Sequence, residues 1–275
     1  MQKRKIGLAL SSGAVRGLAH IGVLEVLQNE GIPIDMLAGT SAGALIGAVY
    51  AQGKDANSIK DEVLELDWKR LASLVDLALP KTGFIGGKKI ANLLRTFIGG
   101  DIKFGDLKIP FSVVATDIIT GEEVVIKEGS VLEAVRASIS IPVLFTVAKW
   151  QDRYLVDGGL VNPVPVSVLR EMGADFIIAV NAMPDLTERT RHTGKEGTKD
   201  HKEPNIFNVI MHTVYMGTYA LVRSCLEDAD VVISPQVAHI GSFDYHRAQE
   251  CIVKGELAAQ DSILEIKRRL ELKGK

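Results

Sequence analysis

Apolar positions alternate between two rhythms along the first fifty residues. Lys5–Leu10 reads as a short apolar strand, after which Leu18, Ile21, Val23, Leu24 and Leu27 recur at helical spacing until Gly31. The pattern then repeats. Ile34–Ala38 predicts a second strand, a sharp turn follows at residues 39–43, and an apolar helix runs over Ala44–Ala51. Two strand–turn–helix units in succession imply a parallel sheet buried on both faces by helices. The expected fold is α/β: a single-domain, three-layer α/β/α architecture with a mainly parallel central sheet.

The remaining chain continues the alternation with interruptions. Residues 55–100 read as helical, broken at Pro80 and by a flexible apolar loop at 81–87; residues 68–100 form either ordinary core or a lid over an apolar site. Phe111–Ala115 and Glu122–Ile126 read as strands joined through Thr120-Gly121. A helix at Val131–Ala137, a constrained loop at 138–142, a strand at Tyr154–Val156, a helix at Val164–Met172 and a strand at Phe176–Val180 follow. Residues 184–204 are almost wholly polar and charged, which predicts a mobile surface excursion within one domain spanning residues 1–275. The C-terminal part, residues 205–275, reads as a helix at Asn205–Glu227, a strand at Val231–Ser234 and an amphipathic helix at Asp244–Leu272.

Composition narrows the classes. A chain of 275 residues, 47% hydrophobic and 24% charged, can bury one sizeable core. A net charge of -2 argues against a non-specific nucleic-acid binder. The apolar stretch Ile6–Leu10 is too short for a signal peptide, and no run approaches the roughly 18 apolar residues of a membrane span. A cytoplasmic protein is expected, with membrane contact at most peripheral and through residues 68–87. Cys225 and Cys251 lack the CxxC spacing of redox or zinc sites, so free thiols are expected. No metal cluster or cofactor motif occurs, and neither is expected. Composition is silent on oligomeric state.

The chemistry concentrates in three places. Gly39-Thr40-Ser41-Ala42-Gly43 is a GxSxG pentapeptide set between an apolar strand and an apolar helix, where a nucleophile elbow requires it. Its glycines relieve crowding in the turn, and the helix that follows points a positive end at the serine. Ser12 to Gly17 is a second small-residue turn between strand and helix, with Arg16 to brace it. Backbone N–H groups of Gly13 and Ala14 there are candidate oxyanion donors. Neither GxGxxG nor GxxxxGK[ST] is present, so a nucleotide phosphate loop is a weak rival. Asp157 ends a strand and precedes Gly158-Gly159, which presents a carboxylate on an open turn. None of the six histidines (His20, His192, His201, His212, His239, His246) sits in a setting that offers it to Ser41.

Together these blocks resemble the patatin-like phospholipase family, in particular its small bacterial members. The likeness rests on SSGAVRGLAHIGVLEVL from Ser11, GTSAGALIG from Gly39, VDGGLVNPVP from Val156 and ASISIPVLF from Ala137, and spans about residues 5–182. It implies a Ser41–Asp157 dyad without histidine, in which Ser41 attacks an ester carbonyl, Asp157 takes its proton, and water activated by Asp157 releases the acyl group. A lipid or acyl ester is the implied substrate, as for a phospholipase A, lysophospholipase or carboxylesterase. The chain departs from the family at one point: Ser12, Gly13 and Ala14 occupy what is usually a run of glycines. That departure favours the alternative of a catalytically weak binding or adaptor protein, while retention of both dyad residues favours the enzyme. An α/β-hydrolase triad using His212 or His239 fails on topology, because only two strands precede Ser41. A malonyl-transferase-like acyl carrier would want a histidine base in a recognisable setting.

Overall fold

The computed structural model describes residues 4–66, 83–85, 87–183 and 206–272. An eight-stranded sheet forms the centre. Its parallel block runs in the order β10 (Val231–Ile233), β9 (Phe176–Val180), β1 (Ile6–Leu10), β2 (Met36–Thr40) and β4 (Phe111–Asp117). Three antiparallel strands extend it beyond β4: β5 (Glu123–Ile126), β8 (Arg153–Asp157) and β7 (Ala148–Trp150). A separate parallel pair joins β3 (Gly83–Ile85) to β6 (Val143–Phe145).

Strand parity sorts the side chains into two cores. Leu8 and Leu10 of β1, Leu37 of β2, Val113 of β4 and Ile178 and Val180 of β9 enter one cluster. That cluster is completed by α1 (Ala19–Asn29), α2 (Ala42–Ala51), α3 (Ala56–Glu65), α4 (Gly87–Ile98), α5 (Val131–Ser138) and α8 (Ala248–Leu272). Ala9, Ala38, Val114, Ile177 and Ala179 point the other way, against α6 (Val166–Glu171) and Val222 of α7 (Ile206–Leu226). Both faces are therefore covered, which is why β1, β2, β4 and β9 are buried at every position and mostly apolar rather than alternating. This is the three-layer α/β/α arrangement expected.

Several boundaries differ from the sequence reading. The second strand is Met36–Thr40, two residues later than the apolar pattern suggested. Asp35 sets its start: the N–H of Asp35 donates to the Ile6 carbonyl (2.8 Å) and its carboxylate accepts from the Ile6 N–H (2.8 Å). Residues 83–85, expected within a flexible loop, form β3 against β6. The last helix begins at Ala248, after a 3-10 turn at Tyr245–Arg247. In the region weighed between core and lid, Leu94 and Ile98 of α4 are buried in the main core. Residues 67–82, in the remainder of that region, and the excursion at 184–204 lie outside the described residues. Cys225 and Cys251 are free thiols, and burial pushes that of Cys251 up to about 12. Among the described residues no helix is long and apolar enough to cross a membrane.

Helix α8 closes on α1 at unusually short range. A Cβ on Gly22 would lie 2.1 Å from the Ile252 carbonyl oxygen, and one on Gly255 would lie 2.0 Å from that of Ala19. Each helix thus seats its backbone in a notch of the other. Gly255→Ala is expected to push the helices apart and lower stability by about 2 kcal/mol, the usual penalty for overpacking a tight core. Thermal melting of the variant beside wild type measures it.

Candidate active site

Ser41 is the joint between β2 and α2, with no spare residue on either side. Its backbone is held at φ 55, ψ -117, a region that L residues avoid and that costs on the order of 1–3 kcal/mol. The neighbouring chain forces this shape. A Cβ on Gly43 would fall 2.1 Å from the Leu10 carbonyl oxygen, and one on Gly39 would fall 2.5 Å from that of Gly43. The Ser41 N–H is anchored by the hydroxyl of Ser138 at 2.8 Å, and the residue is only 5% exposed.

Asp157 reaches Ser41 through the pairing of β4. Strand β5 takes one edge of β4 over Val113–Thr116, so β2 and β8 must share the other edge. Strand β2 runs parallel to β4 and ends with Thr40 opposite Val114; β8 runs antiparallel and ends with Asp157 opposite Ala115. The two strands meet head-on, and their terminal side chains touch: Ser41 Oγ donates to Asp157 Oδ2 at 2.6 Å. The aspartate is fixed by its backbone and its second oxygen. Its N–H donates to the Ser140 carbonyl (3.0 Å), its carbonyl accepts from Thr116 Oγ1 (2.8 Å), and Oδ1 accepts from the Gly159 N–H (2.8 Å). Gly158 packs its Cα against the Val114 carbonyl. Burial raises the Asp157 pKa to about 6, against the opposing pull of the hydrogen bonds from Ser41 and Gly159.

The Ser12–Gly17 turn lies alongside. Ser11 ties it down: its carbonyl accepts from the Gly43 N–H (3.1 Å) and bonds His20 Nε2 (2.8 Å), and its hydroxyl accepts from the Ala182 N–H (2.9 Å). Arg16 is 2% exposed and donates to the Ile240 carbonyl (2.9 Å) and to Ser242 Oγ (3.3 Å), so it braces the turn against the segment before α8. Gly17 packs against Ala42 at the start of α2. Gly13 is extended at φ 169, whereas Ala14 is forced to φ 51, where a Cβ costs on the order of 1–2 kcal/mol. The turn thus forms without the usual glycine, at the expense of strain in Ala14. Among the described residues the N–H groups of Gly13 and Ala14 have no hydrogen-bond partner.

These pieces border one cavity of about 40 Å³. Ser12, Gly13, Ala14, Ser41, Asp157 and Gly159 form its polar floor. Ile141, Pro142, Leu160, Met183 and Val214 supply apolar wall. Its place, beyond the carboxyl ends of β1, β2 and β9, is where the chain order reverses across β1, the usual crevice for ligands in open α/β sheets. His20 is no base for this site: it is buried, bonded to Ser11, and held by desolvation at a pKa of about 4. His239 pairs with Glu250 at 2.7 Å, and His246 lies in the turn before α8. His192, His201 and the side chain of His212 fall outside the described residues. Among the described residues no group of three or more His, Cys, Asp or Glu side chains is placed to hold a metal ion.

Ser138 and Ser140 escaped the sequence reading, although each holds one member of the Ser41–Asp157 pair. Arg136 is buried and donates to the Ser140 hydroxyl and to Thr146 (carbonyl 2.6 Å, hydroxyl 2.9 Å), fixing the loop that follows. The Ser-Ile-Ser-Ile-Pro segment was visible as a constrained loop, but nothing local in it points to Ser41.

Two stability measurements follow from this geometry. Ala14→Gly is expected to raise stability by about 1 kcal/mol, because relief of strain exceeds the entropy glycine adds to the unfolded chain. Asp157 titrates near 6 when folded and near 3.8 when not. Its contribution is therefore fully present below pH 3.8 and is lost as pH rises through 6. Asp157→Asn removes that loss, so above pH 7 it should be the more stable protein, by about 3 kcal/mol. Melting curves from pH 4 to 8 test both variants.

A model of the patatin-like phospholipases matches residues 8–170. An uncharacterised NTE family protein of Mycobacterium tuberculosis is 31% identical over 217 residues, 79% of this chain and 57% of its own. Neuropathy target esterase sws of Drosophila melanogaster is 35% identical over 182 residues, 64% of this chain but 13% of its own. The patatin-like phospholipase domain-containing protein 6 of Mus musculus is 36% identical over 184 residues, with the same coverage. The chain thus spans little more than half of the mycobacterial relative and a small part of the animal ones. Among solved structures, VipD from Legionella pneumophila superposes with a TM-score of 0.62 at 15% identity, covering 94% of this chain and 66% of that one, a likeness of fold. The matched segment carries the glycine-poor turn, the Ser41 elbow and Asp157 in one stretch covering more than half of the sequence, and the chain belongs to the patatin-like phospholipase family.

Proposed function

We propose that the chain hydrolyses carboxylic esters of lipid-like substrates through an acyl-enzyme on Ser41, with Asp157 as its base. The observation that carries this reading is the 2.6 Å hydrogen bond from Ser41 Oγ to a carboxylate whose pKa burial has raised to about 6. A carboxylate at its ordinary value of about 3.9 is a weak acceptor for a serine proton; near 6 it approaches histidine, at about 6.5. Attack by Ser41 passes its proton to Asp157 Oδ2, and the oxyanion that forms faces the N–H groups of Gly13 and Ala14. Asp157 then protonates the leaving alcohol. Water, deprotonated by the same carboxylate, attacks the acyl carbon and restores Ser41. The apolar side chains that flank the dyad, Ile141, Pro142, Leu160, Met183 and Val214, suit contact with the first carbons of an acyl group. The names of two relatives, an esterase and a phospholipase domain-containing protein, point the same way.

A fluorophosphonate ester should modify wild type covalently, fail on Ser41→Ala, and label Asp157→Asn at least about a hundredfold more slowly, the usual worth of a positioned base. Well-folded wild type that resists labelling would sink the proposal. On short-chain esters kcat/KM should rise with pH as Asp157 ionises, reach half its limit near pH 6 and level off about one unit higher. A profile flat from pH 4.5 to 8 would assign the proton to another group.

A further inference from the structure

Ser12 offers a side chain that the dyad does not use. The residue is 6% exposed and lines the same cavity as Ser41 and Asp157. Among the described residues its Oγ has no hydrogen-bond partner, although a buried hydroxyl without one is rare. Its backbone is fixed, with the N–H donating to the Pro163 carbonyl at 2.9 Å. Gly159 marks where the hydroxyl stands. A Cβ on Gly159 would be 2.6 Å from Ser12 Oγ and 3.0 Å from Asp157 Oδ1. The two oxygens are therefore separated by no more than the sum of those distances, about the length of two hydrogen bonds end to end. Glycine, usual in this run in the family, would bring no hydroxyl here.

We propose that the Ser12 hydroxyl, together with Asp157, holds the water that hydrolyses the acyl-enzyme; this rests on the esterase reading above. The cavity of about 40 Å³ is sized for water, and a buried water requires two or more polar partners. Once the alcohol has left, Ser41 Oγ carries the acyl group and Asp157 is again a carboxylate. A water anchored only to Asp157 could swing. Given a second anchor on Ser12 Oγ, it donates both hydrogens and turns a lone pair toward the acyl carbon. As the new carbon–oxygen bond forms, one water proton passes to Asp157 and the oxyanion faces Gly13 and Ala14. Collapse breaks the bond to Ser41 Oγ, which recovers the proton from Asp157, and the carboxylic acid departs.

The test is Ser12→Ala on an activated short-chain ester, whose good leaving group makes deacylation the slow step. Because no protein hydrogen bond is removed, the melting temperature should hold or rise. Fluorophosphonate labelling and kcat/KM, which report acylation, should stay within about twofold of wild type. The turnover number should fall about tenfold, with KM falling in parallel, as expected for one hydrogen bond made in the deacylation transition state. Intact-protein mass spectrometry should show the acyl adduct accumulating. If kcat and kcat/KM fall together, the hydroxyl acts before the acyl-enzyme and the proposal is wrong. It is equally wrong if labelling is normal and neither parameter moves. Wild type that neither labels nor hydrolyses the ester would instead remove the esterase reading, and the role of Ser12 with it.

Discussion

Everything at the site depends on how the two edges of β4 are divided. Because β5 occupies one edge, β2 and β8 must share the other, and their opposite directions aim their carboxyl ends at each other. Successive strand residues are only about 3.4 Å apart along the axis, so adjacent slots opposite Val114 and Ala115 bring the flanking side chains into contact. Ser41 and Asp157 are separated by 116 positions, yet they are neighbours along one strand edge. No flexible loop has to find this geometry, since the ladder hydrogen bonds impose it.

The same packing gives the site its chemistry. Burial that closes the elbow over Leu10 and Gly43 also takes Asp157 out of water, which raises its pKa to about 6, close to that of a histidine. Neither feature favours stability. Ser41 holds a strained backbone and Asp157 an ionisation made costly by desolvation, and both persist because Ser138, Ser140, Thr116 and Gly159 over-determine their positions. The turn at Ser12–Gly17 behaves alike. Ser11 and Arg16 anchor it so firmly that Ala14 accepts a positive φ where glycine would pay nothing.

Much of the architecture was legible in the residues. The apolar runs of β1, β2, β4 and β9 announced strands buried on both faces, and small residues at 39–43 between a strand and a helix announced an elbow. Such features are local, because sterics and periodicity act over a few residues. Boundaries were less legible. The second strand was read two residues early because Ile34 is apolar, whereas its start is set by Asp35 bonding to Ile6, a partner on another strand. Strands β3, β6 and β7, three residues each, are too short to show a period.

By itself, then, the sequence determined the fold class, the serine elbow, the glycine-flanked aspartate and the departure from an all-glycine turn. Tertiary structure alone decided that Ser41 and Asp157 share an edge of β4, that Ser138 at the end of α5 and Ser140 just beyond it hold them, and that burial raises the pKa of Asp157. The division has a physical cause. Turn shape and amphipathic period are written in neighbouring residues, whereas strand pairing and desolvation arise only when segments a hundred residues apart exclude water together.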